Sequence, residues 1–90
     1  MGLVEFVKTT YLPTRLNLSD GWILQILLTV SLYARWLGHP ATLADLTEDS
    51  IRRWLAFLHA EGRAPATINR QRLTLLAVWR CAAREDLLPP

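Results

Sequence analysis

Apolar residues recur at three- and four-residue steps through four stretches of the chain, and no stretch keeps the alternation of a β-strand. Residues 3–12 predict a short first helix with Leu3, Phe6, Val7 and Tyr11 on one side. Pro13 ends it or starts the next loop, because the residue before proline is pushed away from helical geometry. Ser19-Asp20 supplies a cap and a negative charge for a second helix running to Leu37, and Gly38-His39-Pro40 closes it. Its inward stripe is Ile23, Ile26, Leu27, Val30, Tyr33, Ala34 and Leu37. Trp22, Leu24, Gln25, Leu28 and Leu32 point outward, so the helix is apolar nearly all round.

Residues 43–46 read as a connector. Thr47 caps a third helix, with Glu48 and Asp49 in its favoured acidic first turn. Ile51, Trp54, Leu55 and Leu58 face inward, Arg52, Arg53 and Glu61 face outward, and Gly62 is the stop. The fourth helix opens at Ala64-Pro65, where the missing proline N–H has no partner to lose. Ile68, Leu75, Val78, Trp79 and Ala82 form its apolar row, which Arg72 completes through its aliphatic stem. Thr67, Arg70, Gln71 and Thr74 make a separate polar face. The tail from Glu85 to the double proline Pro89-Pro90 terminates the helix. The expected architecture is one all-α domain, a small four- to five-helix bundle over residues 1–88, with residues 89–90 starting a linker.

Charge refines this picture through its location. The formal net charge is only +2, but residues 63–84 carry Arg63, Arg70, Arg72, Arg80 and Arg84 with no acid among them. Glu5 and Lys8 cancel, and Asp45, Glu48 and Asp49 cluster in the middle. A helix with one buried stripe and one basic stripe packs on a core and still meets a phosphate backbone; ordinary solvated arginines produce the same pattern. The apolar fraction of 51%, with four tryptophans, is enough for a compact core. The uncharged run 21–34 covers 14 residues (34 − 21 + 1) before Arg35 interrupts it. That is shorter than the roughly 20 residues of a membrane span and reads as a buried helix. A cytoplasmic protein without membrane contact is the expectation.

The inventory does not favour catalysis. Cys81 is a lone cysteine on the last helix, which excludes an intrachain disulfide and reads as a small core residue. His39 and His59 stand in different elements with no metal-ligand spacing. Ser19, Ser31 and Ser50 lack a nucleophile-elbow context. No catalytic residue, metal ligand or cofactor site is predicted.

The order of segments resembles the N-terminal core-binding, SAM-like domain of tyrosine recombinases of the phage-integrase family. The residues that carry the resemblance are Tyr33-Ala34-Arg35-Trp36-Leu37, Leu46-Thr47-Glu48-Asp49-Ser50-Ile51, Leu55-Ala56-Phe57-Leu58 and the stretch from Glu61-Gly62-Arg63 to Arg70. The tail Ala82-Ala83-Arg84-Glu85-Asp86-Leu87-Leu88-Pro89 resembles the segment leading to the family's catalytic domain. The resemblance implies half of a C-shaped clamp around double-stranded DNA, whose second and fourth helices cross the grooves. It places DNA contacts at Ala66, Thr67, Arg70, Gln71 and Thr74, with Arg63 nearby and Gln25 on the second helix. It also implies other protomers as partners, since the family assembles into tetramers on DNA. Trp22, Leu24 and Leu28 depart from the pattern, because relatives often carry polar or basic side chains there. Neither Tyr11 nor Tyr33 matches the family's nucleophile, so this chain is expected to grip DNA while cleavage is done by a catalytic domain elsewhere. The competing reading is a protein-interaction module that dimerises through the apolar face of the second helix.

Overall fold

Four helical segments enclose one core in the computed structural model, which describes residues 2–15 and 17–88. The architecture is all-helical, without a strand among the described residues. Helix α1 (Leu3–Phe6) runs without a break into a π-helical turn at Val7–Tyr11 and a 3₁₀ turn at Leu12–Thr14. The wider π turn keeps residues four apart nearly in line. Leu3, Phe6, Val7 and Tyr11 therefore all reach the core, as their spacing predicts. Pro13 sits inside the closing 3₁₀ turn, where its missing N–H breaks no ladder.

Helix α2 (Asp20–Leu37) starts where expected: the Ser19 hydroxyl accepts the Trp22 N–H at 3.2 Å. It ends at Gly38, whose φ of 79° is the left-handed conformation that glycine adopts without a Cβ penalty. Its fully buried residues are Ile26, Thr29, Val30 and Tyr33. The flanking Ile23, Leu27, Ala34 and Leu37 are half-buried, and so is Leu32. The fully buried stripe is thus narrower than its composition suggests, although α2 packs against both α1 and the last helix. Thr29, a polar residue on the inward line, was not expected in the core.

The connector contributes more than a link. Leu43–Asp45 forms a 3₁₀ turn, and Leu43 and Leu46 are both buried. Asp45 accepts the Thr42 N–H at 2.8 Å, and the Leu3 N–H reaches the Ala41 carbonyl at 2.9 Å. The chain start is thereby tied to the middle of the molecule. Helix α3 (Glu48–Ala60) begins at Thr47, whose hydroxyl accepts the Ser50 N–H at 3.1 Å. Ile51, Trp54 and Leu58 are buried, with Leu55 at the edge. Arg52 pairs with Glu48 at 2.8 Å and Arg53 pairs with Asp49, one helical turn apart on the solvent side.

Tyr33 joins these parts. Its ring meets Trp54 edge-on with centroids 5.4 Å apart, and its hydroxyl donates to the Asp45 carbonyl at 2.6 Å. Burial pushes the phenol pKa above its ordinary value; the Ser50 hydroxyl opposes this and the Asp45 charge adds to it. The folded state therefore keeps a proton that the unfolded chain gives up near pH 10. That contribution is complete below pH 10 and is lost as pH rises through the folded pKa. The urea midpoint of the wild type is expected to fall between pH 9 and pH 11 more steeply than that of Tyr33→Phe. Parallel curves would show that Tyr33 titrates alike in both states.

Helix α4 (Pro65–Arg84) buries Leu75, Val78, Cys81 and Ala82. Two expectations are corrected here. Trp79 is 39% exposed and Arg72 is exposed, its guanidinium donating to Asn69 Oδ1 at 3.0 Å. Both line an open groove between α3 and α4 rather than the core. The reason is rotational: the inward direction of α4 centres on Leu75, Val78 and Ala82 and swings toward Gln71. Thr67, Gln71 and Thr74 are consequently half-buried, not on a fully solvated polar face. The expected linker start at Pro89-Pro90 lies outside the described residues.

Candidate nucleic-acid interface

The inward side of α4 changes character along its length. Its second half is apolar and closes the core, whereas its first half offers Thr67, Gln71 and Thr74. An open groove of about 450 Å³ lies beside these polar side chains. Gln25, Leu28, Leu32 and Arg35 of α2 form one wall, with Arg63, Thr67, Arg70 and Gln71 opposite. Trp54, Trp36 and Phe57 complete it. The aromatic side is itself packed, with Tyr33 and Trp36 stacked at 6.2 Å and Trp36 and Phe57 at 6.4 Å.

Five of the seven residues expected at the interface, Gln25, Arg63, Thr67, Arg70 and Gln71, meet in this groove. Ala66 and Thr74 lie across the Arg70 ridge, in a second groove that Arg70 also borders. The Thr74 hydroxyl donates to the Arg70 carbonyl at 3.1 Å, so its proton is engaged within the helix. Gln71 Oε1 is enclosed and accepts no hydrogen bond among the described residues. Rotating this amide by half a turn presents its NH₂ instead, so the side chain serves either a donor or an acceptor on a ligand.

Arg35 was missed as a site residue. In the sequence it interrupts an apolar run and belongs to the segment Tyr33–Leu37 that carries the resemblance, without being assigned a contact. The signal was present: Gln25, Leu28, Leu32 and Arg35 follow one another at three- and four-residue steps and so share one face of α2.

Electrostatically the groove is one-signed. Arg35, Arg63 and Arg70 are exposed, none stands in an ion pair among the described residues, and no carboxylate lines the groove. Cations clustered without acids sum their fields over a Debye length of about 8–10 Å and attract a polyanion. The start of α4 adds to this. Ala64 caps it without a side-chain hydrogen bond, and Pro65 occupies the first turn. The Ile68 N–H is the first to bond back, to the Ala64 carbonyl at 3.0 Å. The Ala66 and Thr67 N–H groups thus point out of the helix end, where the dipole favours an anion.

His39 Nε2, in the loop after α2, lies 3.6 Å from Asp45 Oδ1, and His59 stands on a different element, α3. Among the described residues no three His, Cys, Asp or Glu side chains gather as a metal site. No described helix is long and apolar enough to cross a membrane. Comparison with known protein families, curated protein sequences and solved structures found no match to this chain.

Proposed function

We propose that the chain is a DNA-binding domain of the core-binding, SAM-like kind that tyrosine recombinases use to clamp duplex DNA. The observation that carries this reading is the acid-free groove in which Arg35, Arg63 and Arg70 surround Thr67 and Gln71 beside an uncapped helix start. In this reading the three guanidiniums and the Ala66 and Thr67 N–H groups hold phosphates. Gln25 and Gln71 offer both donors and acceptors to a base edge. In this reading strand cleavage and rejoining are the work of a separate catalytic domain, with further protomers as partners. A cytoplasmic location goes with that role.

The test is binding to a fluorescent mixed-sequence duplex across a salt series. Three phosphate contacts give a slope of about −2.7 in log affinity against log salt, which is a loss of about 40-fold between 50 and 200 mM. Absence of binding at low salt, with the protein folded by circular dichroism, would sink the proposal.

A second reading rests on a different observation. Leu24 is 67% exposed and Leu28 is 51% exposed on α2. Exposed leucines on one helix suit a protein contact better than a phosphate. If the domain self-associates through them, Leu24→Lys with Leu28→Lys converts an oligomer to a monomer in sedimentation velocity. A wild type that is monomeric at high concentration removes this reading.

A further inference from the structure

The second groove, on the other side of Arg70, has a composition that phosphate binding does not explain. It measures about 350 Å³ and combines Trp22, Ile26 and Leu73 with Arg15 and Arg70. Trp22 stands 51% exposed and Leu73 51% exposed, whereas Trp54, packed in the core, is 1% exposed. The Arg15 guanidinium lies over the Tyr11 ring, 5.7 Å from its centroid, and so forms a charged lip above an aromatic floor. No carboxylate lines the groove.

We propose that this groove receives an unstacked base of bound DNA, with the Trp22 indole as the stacking surface. The inference rests on the DNA-binding reading and adds the kind of DNA preferred: a duplex with an extrahelical or easily unstacked base. Three observations support that occupant over others. Arg70 borders both grooves, so the second lies next to the first and one guanidinium serves both. The lip cations, Arg15 and Arg70, complement phosphates on either side of a displaced nucleotide. The interior offers an indole face and apolar walls for the base plane, with Asn69 at the edge. Asn69 Oδ1 accepts from Arg72 at 3.0 Å, which leaves its NH₂ free to donate to a base acceptor. An exposed aromatic beside guanidiniums is the usual physical means of holding a base by its π-face. Insertion of apolar side chains at a distorted step is the related device in duplexes.

The experiment compares two labelled duplexes of equal length at one salt concentration, one intact and one with a single-nucleotide bulge. The protein is the wild-type chain or Trp22→Ala, with folding checked by circular dichroism. The wild type is expected to bind the bulged duplex about tenfold more tightly, since stacking of one base on an aromatic is worth about that much or more. Trp22→Ala is expected to lose the preference and to hold the intact duplex within about twofold of the wild type. A 2-aminopurine at the bulge is expected to be quenched on binding wild type and to stay bright with Trp22→Ala.

Equal affinity of the wild type for both duplexes overturns the inference while leaving the DNA-binding reading in place. So does a bulge preference that survives Trp22→Ala. If Trp22→Ala instead dissociates a protein oligomer and leaves the bulge preference unchanged, the groove is a protein contact and the inference fails. Binding to neither duplex defeats both readings together.

Discussion

Arg63→Glu combined with Arg70→Glu is expected to lower affinity for a mixed-sequence duplex by at least about 100-fold at 50 mM salt. Each charge-assisted contact contributes about 1.5–3 kcal/mol, and about 1.4 kcal/mol is a factor of ten. Removing two phosphate contacts also flattens the salt dependence, from a slope of about −2.7 to about −0.9. The fold is expected to survive. Both arginines are exposed and neither has an acidic partner among the described residues, so unfolding stability changes by no more than about 0.5 kcal/mol. Arg52→Glu with Arg53→Glu makes the same change in net charge on α3, away from the groove, where both side chains already pair with acids. That pair is expected to weaken binding only a few-fold. Equal losses from the two pairs would mean that DNA senses total charge, and the groove would lose its special status.

Much of this arrangement is legible in the sequence. Ser19, Thr47 and Gly62 announce helix ends because a capping hydroxyl and a left-handed glycine act through neighbouring backbone groups alone. The buried line of α1 was legible for the same local reason. What escaped depends on how helices rotate against each other. Trp79 lies on the same helical row as Leu75 and Ala82, and only the packing of α3 on α4 decides that the row's edge stays open. Leu43 and Leu46 looked like loop residues because a short 3₁₀ turn shows no periodicity, yet both close the core.

The site divides in the same way. A basic α4 with Thr67, Arg70 and Gln71 is written in the sequence, since these residues sit within two turns. Their meeting with Gln25 and Arg35 is not, because it requires α2 and α4 to pack. Arg35 continues the Gln25 face of α2, where the surrounding leucines obscure the polar signal. Leu28 illustrates why composition misleads: it is half-exposed and lines the cationic groove, so an apolar residue can belong to a charged site.

Trp54→Ala is expected to be the most destabilising single change outside the backbone. Trp54 is 1% exposed, meets Tyr33 edge-on, and forms part of the groove beneath Arg63 and Arg70. Truncating a buried tryptophan to alanine costs about 3–5 kcal/mol, through lost transfer energy and the cavity left behind. A domain of this length has only about 5–13 kcal/mol of total stability. Each kcal/mol moves the midpoint by about 4–8 °C, so Tm is expected to fall by at least about 12 °C. Trp54→Phe keeps a ring against Tyr33 and is expected to lose roughly half as much. The pair also separates two roles of this residue. Trp54→Phe at a temperature where it is folded is expected to retain duplex binding, because the groove's cations come from other residues. If Trp54→Phe folds yet loses DNA binding, the aromatic wall contributes to recognition directly, and the groove is more than a frame for its three arginines.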